Sequence, residues 1–396
     1  MAPGFHGARG SAPAASRDRR RERGPRARAD RDSSLSSRCV AFRGDAPGYP
    51  FSDLRTPRGR TGRTLAGAAL LLPLALAGCG GYQNTLDPHS HASADIANLF
   101  WVMTAVSFGG LALVTGLLVF AWVRRGRRGI GRDTDDPHPG ERPGWFVVVG
   151  MGVIFPLTVV VALFIVGDWA IIKVTQAPAA SSTAMTVEAV GHEWYWGFRY
   201  PGTKAVTADE MHIPVDTRVN LVATTADVIH SFWVPELNRK IDTIPGQQNR
   251  ILLYANRADV YRGQCAEFCG LQHAHMGMLV FAQPKAEFQA WLRRQSAPAK
   301  PPTTALAQRG ERIFLSGACS SCHAIRGTSA KGYVGPDLTH LASRTTLAGL
   351  TIPNTPDYLA RWITDSQHFK PGNQMPNLPL PQAQVRALVA YLESLK

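Results

Sequence analysis

Twelve consecutive residues gather an unusual set of side chains: Cys265-Ala-Glu267-Phe-Cys269-Gly-Leu-Gln-His273-Ala-His275-Met276, with His230 standing upstream. Thiolate, imidazole and thioether in one segment favour copper. Zinc would accept two Cys and two His but has no use for Met, and magnesium or calcium would want oxygen ligands. A bare pair of cysteines four apart in an oxidising compartment would read as a disulfide, and the neighbouring His and Met turn that reading into a metal site. Spacing leaves open whether His273 or His275 belongs to it, and whether Met276 or Met278 does. A second group, Cys319-Ser-Ser-Cys322-His323, is the c-type haem attachment pattern, in which two thioethers fix the porphyrin and the adjacent His ligates iron. A thiol redox site would need a βαβ setting that the flanks lack. Met375, in Lys370-Pro-Gly-Asn-Gln-Met375-Pro, is the expected sixth ligand, with His340 and His368 as alternatives. Ligation by His and Met raises a haem potential, as suits a donor near the end of a respiratory chain.

These sites need elements to carry them, and the 396 residues supply three kinds of texture. Residues 1–63 hold 15 Arg against 6 Asp and Glu, so most of the net charge of +14 lies there and the remainder is only mildly basic. That distribution argues against a nucleic-acid partner. Residues 1–57 read as a disordered or mis-annotated N-terminal extension, since the arginine-rich stretch has little apolar surface to bury. Residues 58–78 have the layout of a secretory signal, with Arg58, Arg60 and Arg63 before an apolar block from Leu65 to Ala77. The block ends in Leu76-Ala77-Gly78-Cys79, which resembles a bacterial lipoprotein signal and makes Cys79 the expected lipidation site. Ile96 to Val123 and Trp145 to Gly167 carry no charge, and each is long enough to cross a hydrocarbon core of about 30 Å. A two-helix membrane domain is expected over 92–175, with spans at about 96–123 and 145–172. The connecting loop carries Arg124, Arg125, Arg127, Arg128, Arg132 and Arg142, whereas 80–95 has no Lys or Arg. The loop is therefore expected inside and both chain ends outside.

After Pro178 short β-branched runs such as Thr186 to Val190 and Arg250 to Tyr254 predict an antiparallel β domain, bounded at 183–292. Here the ligand segment, with Asp227-Val-Ile-His230-Ser-Phe upstream, resembles the dinuclear copper A motif of the cytochrome oxidase subunit II family. The resemblance implies that Cys265 and Cys269 bridge two copper ions, that His230 and His273 cap one each, that Met276 is a weak ligand and that Glu267 contributes its backbone carbonyl. It further implies a magnesium site at the subunit I interface, faced by the Glu267 side chain. Gly191-His192-Glu193-Trp194-Tyr195-Trp196 resembles the family's aromatic stretch between donor and copper, which makes Trp194 the residue where electrons arrive. The sequence departs from the family at Glu193, where an amide is commoner, and near Pro156. There the family has an acidic residue followed by Trp and this chain has Val149 and Gly152, which puts the proton-uptake role of that acid in doubt here.

Residues 293–304 are Pro-rich and predict a semi-rigid linker that holds the next domain at a distance. Residues 305–396 resemble class I cytochromes c: Gly310 and Phe314 lie on an opening helix, Thr355-Pro356 starts a middle helix with Thr as cap, and a closing helix from Pro381 presents Val385, Leu388, Val389 and Leu392 on one face. The expected fold is thus a membrane-anchored multidomain chain: a two-helix transmembrane hairpin, an all-β cupredoxin-like copper A domain and an all-α class I cytochrome c domain. A copper A domain fused to a cytochrome c resembles the caa-type haem-copper oxidases. That implies electron relay from cytochrome c or a quinol:cytochrome c reductase, through covalent haem c and copper A, to oxidase subunit I. It also implies membrane lipid around the anchor, no nucleic acid, and residence in a bacterial inner membrane with both redox domains on the periplasmic face. No oxygen chemistry is assigned to this chain. The alternative is the corresponding subunit of another copper A reductase, of the nitric oxide reductase type.

Overall fold

The computed structural model describes residues 81, 83–127, 141–175, 178–179 and 182–396. The extension 1–57, the signal 58–78, Cys79 and the loop arginines Arg128 and Arg132 lie outside the described residues.

Two helices are long and apolar enough to cross a membrane, with mean hydropathy 2.1 over His91–Gly126 and 2.7 over Gly144–Trp169. Phe108, Leu118, Trp122 and Phe164 point outward and are exposed, as a lipid-facing surface requires. The second helix is interrupted by a π-helical turn at Gly150–Ile154. Its cause is local: Pro156 has no N–H to return to the preceding turn, and Gly150 and Gly152 resist the widened register least. The first helix is fastened at its outer end. Ser90 caps it by accepting from the Ser93 amide at 3.0 Å, and the Ser93 hydroxyl donates to the Glu236 carbonyl at 2.7 Å while the Ser90 hydroxyl donates to that of Leu237.

The β domain is a sandwich of two five-stranded sheets. The strands in chain order are β1 Met185–His192, β2 Tyr195–Arg199, β3 Val206–Ala208, β4 Glu210–Pro214, β5 Val219–Thr225, β6 His230–Trp233, β7 Ile241–Thr243, β8 Asn249–Leu253, β9 Asp259–Cys265 and β10 Gly277–Gln283. One sheet runs β3-β2-β1-β5-β8 and the other β4-β10-β9-β6-β7. The expectation of a purely antiparallel domain is corrected: β1 pairs with β5 and β4 with β10 in parallel. A parallel pair needs a long crossover, and here the chain passes into the opposite sheet between partners. Trp196, Phe198, Phe232, Leu221 and Met211 fill the space between the sheets. His212 on β4 lies stacked between Phe281 (4.6 Å) and Trp291 (4.0 Å), tying the helix Lys285–Ser296 to the second sheet.

The C-terminal domain is built on helices Ala305–Ser316, Pro356–Thr364 and Gln382–Leu392, with short turns at Cys319–Cys322 and Ser366–Phe369. Thr304 and Thr355 cap two of them by accepting from Ala307 and Tyr358. The first and last helices cross at Gly310, where an added Cβ would lie 1.9 Å from the Ala387 carbonyl oxygen. An element absent from the sequence reading is a hairpin of β11 Thr346–Leu347 and β12 Ile352–Pro353, whose tip holds Ala348, Gly349 and Leu350 all at positive φ.

The linker expectation is also corrected. Residues up to Ser296 are helical, and the rest is bound to the haem-motif domain. Ala299 donates to the Arg326 carbonyl at 2.9 Å, Arg326 reaches back to the carbonyls of Gln295 and Ala297, and His340 Nε2 lies 3.0 Å from the Ala297 oxygen. Pro-rich composition sets stiffness. It does not set distance, and here the segment is a strap.

Two outcomes follow from this packing. Gly310→Ala forces the crossing helices apart and lowers the stability of the C-terminal domain by about 1–3 kcal/mol, read as a lower haem-domain melting transition. Burial depresses His212 to a pKa of about 4 against 6.5 when unfolded. Its contribution is therefore full above pH 6.5 and is lost as pH falls toward 4, because only the unfolded chain takes up the proton in that window. Thermal unfolding of the β domain at pH 7 and pH 5 measures this loss, which His212→Phe reduces.

Candidate electron-transfer site

Strand ends bring the copper-type residues together. His230 opens β6 and Cys265 closes β9, and the loop between β9 and β10 supplies the remainder. The two sulfurs, both buried and free, stand 3.7 Å apart, far beyond the roughly 2 Å of a disulfide. His230 Nδ1 lies 4.0 Å from Cys265 Sγ, His273 Nδ1 lies 3.6 Å from Cys269 Sγ, and Met276 Sδ lies 3.9 Å from Cys269 Sγ. The Glu267 carbonyl oxygen is 3.2 Å from Cys265 Sγ. Two ligands at metal-bond length from one tetrahedral ion stand about 3.3 to 3.8 Å apart, so these spacings suit atoms that share metals. The imidazoles approach opposite sulfurs, as two ions require. Of the pairs that spacing left open, His273 and Met276 are the members that lie beside Cys269. His275 is exposed and hydrogen bonds Gln272 at 2.7 Å, whereas Met278 is core, packed against Gly263.

Supporting groups orient this set. Asp227 accepts from His230 Nε2 at 2.8 Å, which leaves Nδ1 with a lone pair toward the sulfurs. The hydrogen bond from Cys269 holds Cys265 ionised, down to about 3, and the resulting charge opposes loss of the second proton from Cys269. A bound cation would remove that opposition. Copper therefore suits the donor set.

The haem-type residues surround a second space. Cys319, Cys322, His323 and Met375 line one cavity of about 320 Å³ with Leu338, Leu359, Trp362 and Leu388 as apolar walls. His323 Nδ1 donates to the Pro336 carbonyl at 2.8 Å, freeing Nε2 for an iron. The alternatives fall away: His340 holds carbonyls of Lys396 and Ala297, His368 packs on Phe369, and neither lines the cavity. Arg344 lines it too, and its Nε is buried without a hydrogen-bond partner. A buried unpaired donor calls for an acceptor, which the carboxylates of a haem provide. The residues fit that group.

The two sites share a wall. Glu193, Trp194, Tyr195 and Asp209 of the β domain complete the haem-type cavity. Trp194, 7% exposed, donates from Nε1 to the Cys269 carbonyl at 2.7 Å, so one indole touches both. Around it runs a polar seam. Asp209 Oδ2 accepts from the Gly349 amide at 2.9 Å, and Glu210 accepts from the amide and hydroxyl of Thr345 at 2.7 and 2.6 Å. Burial raises both carboxyls above their ordinary range. Lys370 crosses the seam to the carbonyls of Trp194 and His275. Sequence reasoning missed Asp209, Glu210, Lys370 and the hairpin. Their only local signal was charge between apolar runs.

Two of the nitrogen-ligand candidates, His230 and His323, are each backed by a glycine. A Cβ at Gly191 would lie 2.6 Å from the His230 ring, and one at Gly335 would lie 2.4 Å from the His323 ring. Gly191→Ala therefore lowers the copper content of the purified protein, measured by metal analysis, while leaving the haem absorption intact. Gly335→Ala does the reverse, shifting the haem toward a high-spin spectrum with copper unchanged. Loss of both signals in either variant would mean general misfolding instead.

Comparison with known proteins agrees with this geometry. Residues 206–283 match the family described as cytochrome c oxidase subunit II, periplasmic domain, and residues 307–396 match cytochrome c. The cytochrome c oxidase subunit 2 of Alkalihalophilus pseudofirmus is 32% identical over 331 residues, 82% of this chain and 95% of that protein. That of Bacillus subtilis is 28% identical over 82% of this chain and 96% of its own. The solved periplasmic domain of subunit II of cytochrome oxidase from Bradyrhizobium japonicum is 30% identical, with 31% of this chain covering all of it at a TM-score of 0.29. With both sites carried on a chain aligned to its relative over nearly that relative's full length, this protein belongs to the cytochrome c oxidase subunit 2 family.

Proposed function

We propose that this chain is the electron-receiving subunit of a membrane-bound cytochrome c oxidase. It accepts electrons from cytochrome c on its own haem domain and delivers them, by way of copper A, toward the haem of subunit I, where oxygen reduction and proton translocation occur. The observation that carries this reading is Trp194, which forms a wall of the haem-type cavity and donates a hydrogen bond to the Cys269 carbonyl. In this reading Cys319, Cys322, His323 and Met375 hold haem c, while His230, Cys265, Cys269, His273, Met276 and the Glu267 carbonyl hold copper A. The bound groups supply one-electron redox chemistry, with little change of bond lengths where one electron is shared by two bridged coppers.

The remaining work belongs to the protein. Phe232, Met276 and Met278 exclude water from the sulfur side, so few solvent dipoles must reorient when charge arrives. Asp227 and Pro336 fix the imidazoles by their second nitrogens. Trp194 is covered by the fused domain, so it receives electrons from that domain and is closed to an external donor, which must dock elsewhere on the haem domain. The Glu267 carboxylate pairs with Lys240 at 3.2 Å on the surface; in this reading it exchanges that partner for a magnesium ion shared with subunit I in the assembled complex. The two apolar helices anchor the chain in lipid of the bacterial inner membrane, with both redox domains on the periplasmic side and Cys79 as a second, lipid anchor.

Anaerobic stopped-flow mixing of the complex with reduced cytochrome c tests the order. The haem band changes first and the copper band follows. Trp194→Ala slows only the second phase, and Met276→Leu alters the copper spectrum with it. Copper reduction ahead of haem in the wild type would sink the proposal.

A further inference from the structure

Lys370 is a lysine where burial should forbid one. It is 2% exposed, and its ammonium donates to three carbonyls: Trp194 at 2.6 Å, His275 at 2.8 Å and Ala348 at 3.0 Å. A lysine ammonium has three protons and here all three are used. Asp209 supplies the nearby negative charge. Each acceptor belongs to a different part of the apparatus. Trp194 is the indole between the sites, His275 sits between the copper candidates His273 and Met276, and Ala348 begins the tip of the docking hairpin. Lys370 itself starts the loop that ends in Met375, and the carbonyl of Met375 is held by Ser366 and Gln367 at 2.8 and 2.9 Å. One cation thus ties the haem-ligand loop, the hairpin, the copper loop and the bridging tryptophan to a common point.

We infer that Lys370 is a positioning residue for electron transfer between the two sites, setting the placement of the Met375 loop against Trp194 and the copper loop. The inference deepens the relay reading and rests on it. Removing the ammonium takes the lysine donor from the Trp194 and His275 carbonyls, leaves the Ala348 carbonyl with only the Thr351 hydroxyl, and takes from Asp209 the larger of its two countercharges, Lys370 and Arg344, a defect that drives the two surfaces apart. The neighbouring hydrogen bonds then report the separation: Gly349 N to Asp209, and Gly277 N to the Gly349 carbonyl at 3.1 Å.

The test uses the full complex with Lys370→Met and Lys370→Arg. Absorption bands of haem c and copper A establish that both centres are assembled. Hydrogen exchange at the Gly277 and Gly349 amides reads docking without reference to activity. Photoinjection of one electron into the haem domain reads the rate of its transfer to copper. Lys370→Met is expected to speed exchange at both amides and slow transfer severalfold, while reduction of copper by a small diffusible reductant keeps its wild-type rate. Lys370→Arg, which keeps charge and donors, restores part of both. Unchanged exchange and transfer in the Met variant overturns the role of Lys370 and leaves the relay standing. Absence of transfer in the wild type overturns the relay itself. Should Lys370→Met fail to bind haem, the Arg variant decides: slowed transfer with faster exchange supports the inference, and wild-type values for Gly277, Gly349 and transfer together with a further variant, Lys370→Gln, that behaves likewise overturn it.

Discussion

Two buried sulfurs 3.7 Å apart impose the central constraint on this molecule. Were both ionised without a cation, their repulsion at that separation would be about 4 kcal/mol even at an effective dielectric constant of 20. A sandwich of two sheets can hold them so close because one closes β9 and the other sits on the loop that returns to β10, with Phe232, Trp196 and Met278 packed behind. The hydrogen bond from His230 to Asp227 and the Gly191 backbone beneath its ring remove the freedom of the imidazole that faces them. The fold thus holds the geometry by its own packing and hydrogen bonds, which in the proposed relay limits how far the site's bonds change on gaining an electron.

A second constraint follows from putting a haem domain beside that site. Asp209, Glu210, Arg344 and Lys370 all lie at the seam and all are withdrawn from water, two of each sign. Such groups are costly to bury singly and contribute little net stability as pairs. What they provide is directionality, because the Lys370 ammonium and the Gly349 and Thr345 donors each find a carbonyl or carboxylate and a shifted seam would strand several. An apolar contact of equal size would tolerate sliding by a residue. For a relay across one indole, register has more value than affinity, and the apolar hairpin tip at Leu350, packed over Gly277, adds area without adding alternatives.

How much of this could be read beforehand depends on the reach of each interaction. The haem-attachment pattern stands out in the sequence because covalent chemistry demands two Cys and a His within one turn, and the structure lines one cavity with Cys319, Cys322, His323 and Met375. The copper loop was legible for the same reason, yet the sequence could not separate His273 from His275, since both lie within reach of a flexible loop and only the Gln272 hydrogen bond turns one away. Caps at Thr355 and Ser90 depend on near neighbours, although only the first was identified. Asp209 and Lys370 act on residues in another domain and carry no local mark. Parallel pairing of β1 with β5 was equally hidden, because an alternating strand looks the same whichever way its partner runs. The Pro-rich strap was misjudged because composition describes stiffness, and its lodging against Arg326 and His340 is a tertiary fact.

Tethering alone would raise the local concentration of a haem domain and still leave it to search for its docking site. The seam makes that search unnecessary. At the other side of the β domain, Ser90 and Ser93 fasten the first membrane helix to the carbonyls of Glu236 and Leu237, a few residues beyond His230 and the end of β6. The β domain thus holds the outer end of the first apolar helix by one set of hydrogen bonds and the haem-type domain by another. In the proposed relay the encounter left to diffusion is the arrival of a donor at the haem-type domain, whose face toward the β domain is already taken by contacts such as that of the Tyr195 hydroxyl with the Val334 carbonyl.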